Sequence, residues 1–386
     1  MIFTSEQEKD FLKRGFSRRS FGRLASIFAA GSALPFSGEF ALAQIAENRK
    51  LPPGAVKIDN NENPLGPCKE SLEAMSALLP QGGRYMFYMP SELEEVMAAQ
   101  EGLKAPKGRG QSYVQVHDGS SAPLLLAVAS FCSPEKPFVI ADPGYEAGDE
   151  AAKFIGAKTV QVPLTKDYAH DVRAMAAVNN AGLIYICNPN NPTGTMTKNE
   201  DIDWLVANKP AGSVILIDEA YIHFAGKEEH TSMRHVAADK DVIILRTFSK
   251  LYGMAGLRCG VAIGRPDLLK KTRGFGINWN PITSVGGAMA ALHTKSLIPE
   301  RKKINADVRD STIAFLDKHG FKCVPSVSNK FMVDTHKPTR EARAALQKEL
   351  VYVGRPWPAM PTSIRVSVGT AEEMKKFQAA FIKCFA

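Results

Sequence analysis

Residues 242–260 read Val242-Ile243-Ile244-Leu245-Arg246-Thr247-Phe248-Ser249-Lys250-Leu251-Tyr252-Gly253-Met254-Ala255-Gly256-Leu257-Arg258-Cys259-Gly260. The unbroken apolar run at its start, rich in β-branched residues, predicts a strand covered on both faces, as in a parallel sheet lying between helices. Thr247, Ser249, Lys250 and Arg258 follow it, in the place where open α/β sheets hold their ligands. The same pattern recurs upstream. Pro137–Ala141 stops at Asp142-Pro143-Gly144, Gly182–Cys187 at Asn188-Pro189, and Val214–Ile217 at Asp218-Glu219. Cys259–Ile263, downstream, stops at Gly264. Helical patterns lie between them, for instance over 122–132 and 200–207. The fold class is therefore α/β with a mostly parallel sheet. From about Pro281 the pattern changes to long helices through Lys295 and over 301–318, then short strands at 331–333 and 364–368. This predicts a second, smaller α+β domain.

Composition narrows the function. The 386 residues are 45% apolar and 23% charged, which excludes a disordered, collagen-like or coiled-coil chain. Lys and Arg number 48 against 40 Asp and Glu, a formal charge of +8 without a dense basic block, so no nucleic-acid partner is expected. The six cysteines show no CxxC and no metal-ligand spacing, so neither a disulfide scaffold nor a metal site is expected. Cys187 and Cys259 read as packed thiols.

The first 43 residues differ in kind. A charged head leads to Ser17-Arg18-Arg19-Ser20-Phe21-Gly22-Arg23. A short apolar stretch to Phe36 follows, and the segment closes at Ala41-Leu42-Ala43. These are the three parts of an export signal, and the arginine pair resembles the twin-arginine type. Residues 1–43 are thus expected to direct export to the periplasm, with cytoplasmic residence if the signal is unused. No stable membrane insertion is expected after cleavage, since no other stretch is long and apolar enough to span a bilayer.

Four motifs converge on one cofactor. Asp118-Gly119-Ser120-Ser121 opens a helix, where backbone N–H groups can meet a phosphate. Asn188-Pro189-Asn190-Asn191-Pro192-Thr193-Gly194 follows one strand and Asp218-Glu219-Ala220-Tyr221 the next; Ser249-Lys250 and Arg258 come after. Pyridoxal phosphate needs a lysine, a carboxylate for its ring nitrogen, a phosphate cradle and a flat group over its ring. Each has a candidate.

Together with Asn61-Glu62-Asn63-Pro64-Leu65-Gly66-Pro67, these motifs resemble the fold-type I pyridoxal-phosphate aminotransferases of class I/II, and among them the histidinol-phosphate aminotransferase family. The resemblance runs from about Asp59 to the C-terminus. It implies a three-layer large domain over 81–284. It also implies that the smaller α+β domain is built from both chain ends, 44–80 as arm and part of it, 285–386 as the rest. It implies that Lys250 forms the Schiff base and shuttles the proton. Asp218 would hold the ring nitrogen, and Tyr221 and Asn191 the ring oxygen, with Tyr145 stacked on the ring. Gly119, Ser120, Ser121, Thr247, Ser249 and Arg258 would surround the phosphate. Tyr85 would reach the cofactor of the partner in a homodimer with shared active sites. Arg365 would clamp a substrate carboxylate, and Asn63 and Arg355 would line the pocket.

The chain departs from the histidinol-phosphate pattern. His223 stands where an acidic residue is usual, and Gly148 replaces a second aromatic. The loop Arg355-Pro356-Trp357-Pro358-Ala359-Met360-Pro361 is short and Pro-rich, and Trp357 and Met360 suggest a partly apolar pocket. The expected reaction is a ping-pong transfer of an amino group from an amino acid to a 2-oxo acid. Histidinol phosphate as donor is the alternative. A decarboxylation, racemisation or elimination on the same cofactor is a further one, and a non-catalytic scaffold would not need Lys250, Asp218 and Arg258 together.

Overall fold

A computed structural model describes residues 9, 12–16, 51–104, 111–274 and 279–386. The arginine pair, the apolar stretch and Ala41-Leu42-Ala43 lie outside the described residues. Just ahead of them, Phe16 is buried among Leu124, Val128 and Cys132, and the Arg14 guanidinium donates to the carbonyls of Ala129 (2.9 Å) and Cys132 (2.8 Å).

The described body starts with β1 (Val56–Ile58). Seven strands then make the central sheet: β2 (Val114–His117), β3 (Phe138–Asp142), β4 (Thr159–Pro163), β5 (Leu183–Cys187), β6 (Val214–Asp218), β7 (Val242–Thr247) and β8 (Gly260–Gly264). Their order is β2-β8-β7-β6-β5-β3-β4, and β8 alone runs against its neighbours. Continuous apolar strands work here because both faces are covered. Ile184, Ile186, Ile215, Ile217 and Ile244 meet one helical layer. Leu183, Tyr185, Val214, Leu216, Ile243 and Leu245 meet the other, which carries the helices Ser121–Phe131, Ala147–Ile155 and Pro266–Arg273. A two-residue period on strands sandwiched by helices is the three-layer α/β arrangement.

The chain then forms the helices Ile282–His293 and Leu297–Lys318, separated by a short break rather than continuous through Lys295. Three strands follow: β9 (Lys330–Asp334), β10 (Val351–Val353) and β11 (Ser363–Ser367). β9 and β11 pair antiparallel, and β10 pairs parallel with β1, so both chain ends build this part. Its core packs Val56 and Ile58 against Phe331, Val333, Ile364, Val366, Phe377 and Phe381. The last helix, Ala371–Phe385, starts from a capping box in which Thr370 and Glu373 bond each other's backbone N–H. No helix among the described residues is long and apolar enough to cross a membrane.

Candidate active site

The sheet direction assembles the site. β3, β5, β6 and β7 are parallel, so their C-terminal ends, with Tyr145, Asn191, Tyr221 and Lys250 beyond them, lie along one edge. β2 runs the same way and ends at His117. The reversed β8 starts at that edge, and its register sets His117, Gly260 and Thr247 side by side. Gly119, Arg258 and Ser249 follow or precede those three residues closely and therefore meet, although 139 positions separate Gly119 from Arg258.

The contacts are specific. Gly119 has φ +97, Arg258 has φ +55, and Ser120 precedes the helix Ser121–Phe131. The Arg258 guanidinium donates to Asp118 O (3.1 Å), Ala255 O (2.8 Å) and Ser249 Oγ (3.3 Å). Thr247 Oγ1 donates to Ser249 Oγ at 2.9 Å. A Cβ on Gly119 would press into that guanidinium, with Cζ 3.0 Å away. The glycine thus lets backbone, hydroxyls and a cation converge at one helix N-terminus, the donor set that suits a phosphate.

The carboxylate of Asp218, buried at the end of β6, accepts from Tyr185 Oη (2.9 Å) and Ala220 N (3.0 Å). Lys250 Nζ is buried, 3.4 Å from Asn60 O and 5.7 Å from the centre of the Tyr221 ring. Tyr145 is buried, its hydroxyl 3.5 Å from Ser121 Oγ. The Arg365 guanidinium is buried too. It donates to Asn191 Oδ1 (2.9 Å) and to Asp59 O, and lies 5.0 Å from the Trp357 ring. Burial pushes the thiols of Cys187 and Cys259 up to about 12, Asp218 adding to the effect on Cys187, so both are packed thiols as expected.

Other candidates are placed differently. Asn63 uses its amide on Leu251 O (2.7 Å) and Leu65 N (3.0 Å), which makes it a brace between loops. Arg355 pairs with Glu146 at 2.6 Å and stacks on Trp357 at 4.0 Å. Trp357 and Met360 are buried with Val324 and Met332. They form a small core that backs the two arginines rather than an open pocket wall. Tyr85 is 71% exposed and stacks with Phe87 and Trp279, themselves exposed. His223 is buried against Tyr252 Oη at 3.3 Å, and burial together with Arg246 and Lys227 drives its basicity well down. No metal-binding cluster is found among the described residues.

Three participants are not assigned by the sequence reading. Asn61, at φ +53, donates to Tyr221 Oη (3.0 Å) and to Asn191 Oδ1 (3.4 Å), so it links the two. Its signal lay in the Asn61-Glu62-Asn63 motif. Tyr185 holds Asp218 from the neighbouring strand, a contact set by β5–β6 register. Lys330 is fully buried with Nζ 3.1 Å from the centre of the Tyr221 ring; its signal is a lysine opening an apolar strand.

A three-layer sheet with a lysine, a carboxylate and an arginine-lined helix N-terminus at one edge offers the parts that a pyridoxal-phosphate enzyme needs. Residues 54–381 match the model of the family "Aminotransferase class I and II". The chain belongs to that family and is a pyridoxal-phosphate-dependent transaminase. It is 31% identical over 335 residues to a histidinol-phosphate aminotransferase of Moorella thermoacetica, with 83% of each chain covered. An aromatic amino acid aminotransferase of Cutibacterium acnes is also 31% identical, covering 83% of this chain and 89% of that one. Among solved structures, the histidinol-phosphate aminotransferase of Sinorhizobium meliloti with pyridoxal-5'-phosphate superposes at a TM-score of 0.79, 25% identical, over 92% of this chain and 95% of that one.

Proposed function

We propose that the amino donor is an α-amino acid held through its carboxylate by Arg365. The observation that carries this is the buried Arg365 guanidinium, fixed by Asn191 and Asp59 O beside the Tyr221–Asn61 pair. A guanidinium fork matches a carboxylate with two parallel hydrogen bonds.

Gly119, Ser120, Ser121, Thr247, Ser249 and Arg258 would hold the cofactor phosphate. Asp218, steadied by Tyr185, would meet the ring nitrogen, Tyr221 and Asn191 would meet the ring oxygen, and Tyr145 would cover the ring. When bound, pyridoxal phosphate supplies an electron sink that makes the substrate Cα–H acidic. Lys250 Nζ would hold the cofactor between turnovers and would be the group that takes the proton from the substrate Cα. The burial of Lys250, Asp218 and Arg365 keeps water from competing for that proton. Amino donor and 2-oxo acid use the same site in turn, which gives ping-pong kinetics.

The histidinol-phosphate aminotransferases among the relatives favour a second reading, in which Arg365 and Arg355 receive a substrate phosphate. A panel of amino acids and histidinol phosphate, titrated into the purified holoenzyme and followed by absorbance, separates the two. Loss of a buried charge-assisted pair costs about 2–5 kcal/mol, so Arg365→Ala should lower kcat/KM for amino acids about 30-fold to several thousand-fold. Turnover of histidinol phosphate at least tenfold (about 1.4 kcal/mol) better than every amino acid would refute the amino-acid reading.

The exposed Tyr85, Phe87 and Trp279 support a homodimer in which Tyr85 serves the neighbouring site. Export of the folded protein through the Arg18-Arg19 signal is the corresponding reading for residues 1–43. Replacing both arginines by lysine should retain the protein in the cytoplasm, and undiminished export would point to another route.

A further inference from the structure

Lys330 is the first residue of β9, and its side chain is fully buried. Its Nζ donates to Ser328 Oγ at 2.9 Å and stands 3.1 Å from the centre of the Tyr221 ring. A buried ammonium is costly unless compensated, and a methionine would pack in an apolar strand without that cost. Its compensation includes a hydroxyl and the negative face of an aromatic ring.

The sheet register shows what this cation faces. Lys330 pairs with Ser367 and Met332 with Arg365, so Lys330, Ser367 and Arg365 share one face of the β9–β11 ribbon. Ser367 Oγ donates to Asn61 Oδ1 (3.1 Å), and Asn61 Nδ2 donates to Tyr221 Oη (3.0 Å). Both lysine nitrogens lie near the same ring, Lys250 at 5.7 Å from its centre, so they stand within roughly 9 Å of each other, the sum of the two distances.

Resting on the cofactor reading above, we propose that Lys330 is a positioning residue that acts through Tyr221 to lower the proton affinity of the Lys250 nitrogen while that nitrogen is linked to the cofactor. A cation on the ring face draws charge from the phenol and makes its O–H a stronger donor to the cofactor's ring oxygen. That oxygen is the acceptor that would otherwise help keep a proton on the linked nitrogen. The positive charge of Lys330 also opposes a second positive charge nearby. Both effects have the same sign.

The charged and titratable groups facing this pair come from several elements. Asp218, Tyr185 and Cys187 stand at the β5–β6 edge, and Arg365 reaches Asn191 from β11. Asp59 and its backbone carbonyl lie beside Arg365. Tyr145 follows β3, and Lys330 comes from β9. The charge of Lys330 is also felt at Cys187, where it opposes the rise caused by burial and Asp218.

The test is a pH titration of the absorbance band of holoenzyme, without substrate, for wild type, Lys330→Met and Lys330→Gln. The midpoint should rise by about one pH unit in both variants, a tenfold change in proton affinity. Lys330→Arg should restore most of it. In a Tyr221→Phe background, the further change on Lys330→Met should fall to under a third. Melting of the apoproteins separates a folding defect from the electrostatic effect, because looser packing alone would not move the midpoint. A wild-type midpoint in a folded Lys330→Met protein overturns the proposal. A full shift persisting in the Phe background overturns the route through Tyr221. A wild-type protein with no cofactor band, or with its label on another lysine, instead overturns the cofactor reading and the proposal with it.

Discussion

Gly119→Ala probes the phosphate cradle at its tightest point. Gly119 has φ +97, and an added Cβ would meet the Arg258 guanidinium, whose Cζ is 3.0 Å from that position. Two effects follow, and they separate experimentally. A side chain at this backbone angle costs on the order of 1–3 kcal/mol. It is present with or without ligand, so it should lower the melting temperature of apo and loaded protein alike. The second effect concerns the ligand. To make room, the guanidinium must leave Asp118 O at 3.1 Å and shift from Ser249 Oγ at 3.3 Å. A hydrogen bond to a charged group contributes about 1.5–3 kcal/mol, which predicts cofactor binding about 10- to 150-fold weaker. Apoprotein titrated with pyridoxal phosphate, followed by the lysine-linked absorbance, measures this directly. Arg258→Ala should reproduce the affinity loss without the strain. Wild-type affinity in Gly119→Ala, alongside a lowered melting temperature, would refute Arg258 as a phosphate anchor.

Borohydride reduction and peptide mapping should place the pyridoxyl label on Lys250, and a label elsewhere would reassign the anchor. Tyr85→Ala should weaken cofactor retention about tenfold, or roughly 1.4 kcal/mol, if the residue serves a neighbouring site; dilution below the dimer dissociation constant should mimic it, and light scattering should give twice the chain mass. His117 and His170 are buried and neutral, their basicity lowered by burial to about 4 each. The unfolded chain binds those protons near pH 6.5 while the folded one does not, so stability should fall as pH drops from about 6.5 to about 4. Urea midpoints across that window should show the slope, and His170→Gln should flatten it; an unchanged slope would place the proton uptake elsewhere.

Much of the site was legible in the sequence for a local reason. Apolar strands ending in polar residues need no distant partner to be recognised, and Asp218 and Lys250 each stand within a few residues of such an end. The family match over 54–381 agrees with the fold class and the cofactor read from these motifs. Short or half-exposed strands were not legible. β1, β4 and β10 are three to five residues long, β4 with only Val162 buried, and such runs do not stand out from loops.

The amino-acid order alone determined the class of the fold and the residues that could carry the chemistry, because period, burial and strand-end placement are properties of short windows. Only the tertiary structure decided which of those residues meet. The reversed strand β8 brings Arg258 to Gly119, and β5–β6 register hands Asp218 to Tyr185. The pairing of β9 with β11 sets Lys330 and Arg365 on one face, and the fold then lays Lys330 over Tyr221, a residue 109 positions earlier. Those encounters depend on how strands order and register across the whole sheet, and that is settled by burying the most apolar area at once rather than by any local stretch.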